Sequence, residues 1–164
     1  MRASWLRGSR RPETVVGIAT LAAGPFEQVE AELRRLPGVL DTAVGYTGGT
    51  RPNPTYAQAR AGGTGHVEAV QVEFDPRRLF YAELLEAFWR IHDPADDSRP
   101  ARHRSAILTH TPEQLRIAQA SLLAAQAAFG RRLRTRIARA GVFYRAEDEL
   151  QHVLERRGLA IALA

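Results

Sequence analysis

Short apolar segments alternate with amphipathic segments along this chain, and that alternation restricts the folds it can adopt. Thr14–Leu21 (TVVGIATL) is β-branched and apolar at both odd and even positions, which is typical of a strand covered on both faces. Pro25 suits the first turn of a following helix, and Pro37-Gly38 would end it. Hydrophobic residues recur between them at helical spacing: Phe26, Val29, Leu33 and Leu36. This pattern predicts a sheet with helices packed against it.

The remaining segments continue the alternation. The other predicted strands are Val39–Tyr46, His66–Phe74, Arg104–Thr109 and, at a sheet edge, Thr135–Ala140. The other predicted helices are Thr55–Arg60, Leu79–His92, a long helix capped by Thr111, and Glu147–Arg157. The long helix has a predicted buried stripe of Leu115, Ala118, Leu122, Ala125 and Phe129.

Joined by short connections, these elements predict an α+β protein, with helices on a mixed or antiparallel sheet. We expect a single domain at residues 14–157, preceded by a basic tail at 1–13 and followed by a C-terminal tail at 158–164.

The sequence contains no cysteine. This excludes disulfides, thiolate metal sites, iron–sulfur clusters and every thiol nucleophile. The five histidines show no spacing of four residues that would place two of them on one helix face, so we expect no metal site.

All 23 basic residues are arginine, against 18 acidic residues, and the net charge is +5. One cluster follows the long helix at Arg131, Arg132, Arg134, Arg136 and Arg139. A nucleic-acid surface uses such stripes to contact phosphates, with aromatic residues between them for stacking. Because this cluster has aromatic residues only before and after it, we interpret it as a solvated face. Nucleic-acid binding is not expected, although an Arg-rich nucleic-acid or partner-binding module stays open as an alternative.

The arginines of residues 1–11 and the apolar run Val15–Gly24 also allow an export signal. Glu13 interrupts the approach to that run, and we therefore predict a basic tail before a buried strand, in a cytoplasmic, monomeric protein. No apolar run reaches the length of about 18 residues that a membrane span requires, so no membrane partner is expected.

Six short sequence motifs, called words below, are more specific than composition or charge. They are GYTGG (Gly45–Gly49), NPTY (Asn53–Tyr56), GTGHVEAV (Gly63–Val70), FWRIHDP (Phe88–Pro94), RSAI (Arg104–Ile107) and FYRAED (Phe143–Asp148). In this order and at these separations the set resembles the A-type peptide methionine sulfoxide reductases, which reduce methionine-S-sulfoxide to methionine in protein repair. The resemblance covers about residues 14–157 and implies a two-layer α/β sandwich of ferredoxin-like type.

The resemblance also implies which positions form the site. In the family, a GCFWG word at the strand-to-helix junction supplies the cysteine that attacks the sulfoxide sulfur. Here that junction reads Gly24-Pro25-Phe26-Glu27-Gln28, so Pro25 occupies the nucleophile position and Glu27 the tryptophan position. Glu68 matches the glutamate that protonates the sulfoxide oxygen. Tyr56 matches one oxygen-binding tyrosine, and His103 falls on the position of the second.

The resemblance therefore predicts a homologue that is inactive in the family's reaction. The family's reductant, thioredoxin or another thiol, has no sulfenic acid to reduce here, and no cofactor is expected. Glu68 stays as a remnant general acid, and Phe26, Tyr56, Glu68 and His103 are the candidate substrate-binding residues. The alternative is a non-redox binder of methionine sulfoxide, a sulfoxide-containing peptide or another small polar ligand.

Overall fold

The computed structural model describes residues 15–163. The predicted basic tail at 1–13 lies outside the described residues. The strands are β1 (Gly17–Ala22), β2 (Val39–Thr47), β3 (Val67–Phe74), β4 (Ala106–Thr109), β5 (Arg136–Arg139) and β6 (Phe143–Arg145). The helices are α1 (Phe26–Arg34), α2 (Tyr56–Ala61), α3 (Tyr81–Ile91), α4 (Pro112–Phe129) and α5 (Val153–Leu163). Short 3₁₀ turns lie at Ala101–His103 and Asp148–Leu150.

The six strands form one mixed sheet in the order β5-β4-β1-β3-β2-β6. All neighbours are antiparallel except β4 and β5, which are parallel. β1 lies between β4 and β3, as its apolar character on both faces predicts, and β5 lies at the predicted edge. The α+β fold expected from the sequence is confirmed.

One face of the sheet carries the main hydrophobic core. Val44, Val70 and Ile107 of the sheet belong to the same fully buried cluster as Leu33 of α1 and Phe88 of α3. Each such side chain contributes roughly 1.5–3 kcal/mol when it leaves water. A smaller cluster on the opposite face consists of Ala22, Ala69, Ala106 and Leu108. Because α1 packs on this face of the sheet, the core side of β3 lies close to the start of α1.

The C-terminal part departs from the prediction. The three-residue strand β6 was not predicted, because so short a segment has no readable alternation; it pairs with β2. The last helix begins at Val153 and not at Glu147, since residues 148–150 form a 3₁₀ turn and His152 has a φ of +53°. It continues to Leu163, beyond the predicted end at Arg157.

The predicted buried stripe of α4 is wrong at its first position. Leu115 is 38% exposed, and Gln114 is buried in its place. The Gln114 side chain donates to the Ile18 carbonyl at 2.7 Å and accepts from the His110 N–H at 2.9 Å. These hydrogen bonds satisfy a buried amide, which is why a polar residue can face the sheet. Among the described residues, no helix is long and apolar enough to cross a membrane.

His92 anchors the loop that leads from α3 to β4. Its Nδ1 lies 3.0 Å from the Phe88 carbonyl, which can only accept, so the neutral ring carries its proton there. Nε2 then accepts from the Ser105 hydroxyl at 2.7 Å, and Ser105 is also bonded to Thr135. Burial lowers the pKa of His92 to about 4.

We expect this histidine to make the fold acid-sensitive. An unfolded histidine titrates near 6.5, so between about pH 6.5 and about pH 4 the unfolded chain binds the proton more readily and the free energy of unfolding falls as the pH falls. The expected loss is up to about 3 kcal/mol. Urea titrations across this range should show a smaller loss for His92→Gln than for the wild type; equal slopes would contradict the assignment.

Candidate functional site

The site is built around the turn from β1 to α1. Gly24 has a φ of +116°, which favours glycine, and a Cβ there would meet the Arg99 guanidinium at 2.5 Å. Pro25 follows as the N-cap of α1 with φ −54° and ψ 120°, and its own side chain makes no capping hydrogen bond. Residue 25 thus lies where a side chain could reach the free N–H groups of the first helical turn, but proline offers no group to do so.

Glu68 lies beside the start of α1 and is 4% exposed. Its Oε1 accepts from the Phe26 N–H at 3.3 Å, the first N–H of the helix. Its Oε2 lies 2.7 Å from Nε2 of His103 and 3.5 Å from Nε of Arg102. The carboxylate is favourably placed at the positive end of the helix dipole. Both of its oxygens are therefore engaged by groups of the chain itself.

The loop between α3 and β4 supplies the cationic residues of the site. Arg99 donates to the Ala23 carbonyl at 3.1 Å and forms an ion pair with Asp96 at 3.2 Å. Hydrogen bonds from Ser98 and then from Arg99 hold the pKa of Asp96 below its ordinary value. Neither Arg99 nor Arg102 was predicted from the sequence, because no motif marks them and only the path of the loop brings them to the junction.

Three aromatic rings pack behind the junction. Phe26 is 1% exposed, and its ring centroid lies 5.8 Å from that of Tyr46 and 6.5 Å from that of Tyr56. Such separations are typical of favourable aromatic pairs. Phe26 is thus part of the core, and of these three rings only Tyr56 is partly exposed.

Glu147 connects two of these tyrosines and was not among the predicted site residues. Its Oε1 accepts from the Tyr46 hydroxyl at 3.3 Å, and its Oε2 accepts from the Tyr56 N–H at 3.2 Å. Burial, and then the Glu147 charge, raise the pKa of Tyr46 above its ordinary value. The FYRAED word contains this glutamate and was the available signal.

The structure brings the predicted residues into one cluster. Glu68 contacts both Phe26 and His103, and Tyr56 packs on Phe26. The roles assigned to these residues stay predictions. The cluster can accept and donate hydrogen bonds and hold a polar group, but it contains no redox-active atom. In the part of the chain that the structure describes, no group of three or more histidine, aspartate or glutamate side chains could hold a metal ion.

The arginine cluster after α4 is partly neutralised. Arg131 binds both carboxylate oxygens of Asp93, at 3.0 and 3.1 Å, and Arg134 binds Asp97 at 2.8 Å. Asp97 therefore faces this cluster, whereas Asp96 faces Arg99. These ion pairs agree better with a solvated face than with a phosphate-binding stripe.

Comparisons with known proteins agree with this geometry. The family model described as "Peptide methionine sulfoxide reductase" matches residues 17–160. The peptide methionine sulfoxide reductase MsrA of Methanoculleus marisnigri is 44% identical over 154 residues, which cover 90% of this chain and 94% of that protein. Reduced Mxr1 of Saccharomyces cerevisiae superposes with a TM-score of 0.83 at 26% identity, covering 90% of this chain and 88% of Mxr1. Methionine sulfoxide reductase A of Corynebacterium diphtheriae gives a TM-score of 0.80 at 32% identity, covering 92% and 78%.

Proposed function

Because this chain belongs to the peptide methionine sulfoxide reductase family, we propose that it is a member without reductase activity. The observation that carries the proposal is Pro25, the N-cap of α1, which stands where the family resemblance places the attacking cysteine. With no cysteine anywhere in the sequence, no displaced thiol can replace it.

The chemistry of sulfoxide reduction explains why residue 25 alone decides whether the protein can act as a reductase. Reduction of a sulfoxide breaks the sulfur–oxygen bond and passes the oxygen to a thiol, which becomes a sulfenic acid while the substrate sulfur is reduced. A second thiol then reduces the sulfenic acid and releases water. The pyrrolidine ring of proline has no lone pair or redox state for either step. Glu68 could still donate a proton to the sulfoxide oxygen, but the thiol that would accept that oxygen is absent.

A second candidate is a non-redox binding protein for methionine sulfoxide or another small polar ligand. The clustering of Glu68, His103 and Tyr56 around the start of α1 favours it. Since Glu68 already engages His103 at 2.7 Å, a ligand oxygen would compete with a hydrogen bond inside the chain. We therefore expect weak binding.

A reduction assay tests the first proposal. We expect no dithiothreitol- or thioredoxin-dependent conversion of methionine-S-sulfoxide to methionine above a buffer blank. The MsrA of Methanoculleus marisnigri serves as the active control under the same conditions. Turnover by the purified wild-type protein that disappears in Glu68→Gln would overturn the proposal.

Calorimetry with methionine-S-sulfoxide, with His103→Ala as the variant, tests the second candidate. Binding that is lost in the variant and insensitive to salt would support it. Binding of an oligonucleotide that weakens steeply with salt would instead support the Arg-rich module.

A further inference from the structure

The solvent side of α4 is unusual for a surface helix. We define the outer face of α4 as Arg116, Ala120, Leu123, Ala124 and Ala127, all of which are exposed. Leu123 at its centre is 73% exposed. The opposite side is already occupied, since Ala118 and Ala125 are buried and Ser121 accepts from the Trp89 indole at 2.7 Å. The outer face is therefore not used by the described part of the chain.

The sequence of α4 lacks the charges that such a face normally carries. No charged residue occurs between Arg116 and Arg131. A helix that borders water usually shows charged or polar residues on that side, and an apolar one favours a partner. Alanines on both sides of Leu123 would let a second helix approach closely, near the lower end of the usual 8–10 Å between helix axes.

The charges at the two ends of α4 indicate which partner fits. Glu113 lies in the first turn, and the last turn contains no basic residue to balance the helix dipole. Arg132 follows the helix and is exposed. In an antiparallel pair of identical helices, Glu113 of one copy lies near Arg132 of the other, and Arg116 lies near the other copy's last-turn carbonyls. A two-fold axis repeats each of these contacts, whereas a parallel pair would bring like charges together.

We infer that the outer face of α4 is the contact between two copies of this chain, packed antiparallel with the two-fold axis near Leu123. The prediction of a monomer from the sequence was made without regard to this exposed face. A single helix pair buries less surface than a standard interface, so we expect a weak dimer that forms only at high protein concentration. The inference does not depend on the proposed function, because α4 contributes no residue to the site.

Sedimentation equilibrium at increasing protein concentration tests the association. The wild type is expected to approach twice the monomer mass, and Leu123→Glu to weaken dimerisation at least tenfold. Val142→Glu is the matched control, because Val142 is 64% exposed but lies outside α4, and this variant should dimerise like the wild type. A wild type that stays monomeric at several hundred micromolar would overturn the inference.

Cysteine cross-linking tests the orientation, and the absence of native cysteine makes the result unambiguous. With a mild oxidant, Leu123→Cys should form a covalent dimer because its two copies lie next to the axis. Ala127→Cys should not, since its copies would be about 12 Å apart along an antiparallel pair, beyond the reach of a disulfide. Efficient cross-linking of both variants would indicate a parallel pair and contradict the proposal, as would cross-linking of neither.

Discussion

The double variant Pro25→Cys/Glu27→Trp is expected to convert methionine-S-sulfoxide to methionine in a single turnover, at least about 100-fold faster than Pro25→Cys alone. The backbone at position 25 accepts the first change, because a φ of −54° and a ψ of 120° are ordinary values for any residue. A thiol there lies at the N-cap of α1. The helix dipole and the free N–H groups of the first turn lower the pKa of a thiol at such a position, which favours the reactive thiolate.

The second substitution is needed because Glu27 would place a carboxylate beside the substrate. The family resemblance puts an apolar tryptophan at this position, where the S-methyl group of the substrate is bound. A carboxylate against that methyl group costs several kcal/mol unless it is paired or protonated. We therefore expect only trace reduction from Pro25→Cys, even with Glu68 retained.

The two products of the reaction, methionine and a sulfenic acid, can both be measured. One molecule of methionine should appear for each sulfenic acid formed at residue 25, and dimedone trapping with mass spectrometry detects that acid. Pro25→Ser/Glu27→Trp is the matched control, since it supplies a hydroxyl at the same place and should release no methionine. If Pro25→Cys already matches the double variant, Glu27 does not occupy the methyl-binding position and the alignment of this junction is wrong.

Glu68→Ala is expected to lower the free energy of unfolding by about 2–3 kcal/mol. The carboxylate is buried and serves three partners, the Phe26 N–H, His103 and Arg102. Its removal leaves those donors without their acceptor and places a cavity at the start of α1. For a chain of this size the midpoint of thermal unfolding should fall by roughly 5–10 °C.

Two further variants separate this effect from a general loss of charge on β3. Glu68→Gln keeps the shape and one acceptor oxygen, so its loss should be about half as large. Glu73 lies on the same strand but is exposed, and Glu73→Ala should change the free energy of unfolding by less than about 0.5 kcal/mol. Urea denaturation measures all three; equal losses for Glu68→Ala and Glu73→Ala would contradict the anchoring role of Glu68.

Much of the fold could be predicted because it depends on local pattern. The apolar run before Gly24 predicts β1, and the helical spacing from Phe26 to Leu36 predicts α1. Alternation along His66–Phe74 places Glu68 on the same face as Val70 and Val72, which the structure shows to be the core face. Short or irregular segments were less readable, and β6 and the 3₁₀ turn before α5 were missed for that reason.

The sequence by itself determined that this protein has no thiol, that proline stands at the junction of β1 and α1, and to which family the chain belongs. These are properties of residue identity and order, which no fold can alter. Only the tertiary structure decided that Arg99 reaches the Ala23 carbonyl, and that Arg102 and His103 close on Glu68. Glu68 and His103 are 35 positions apart in the sequence, and their meeting depends on how the loop after α3 crosses the start of α1. No periodicity encodes that path, because it is set by the packing of the whole sheet and its helices.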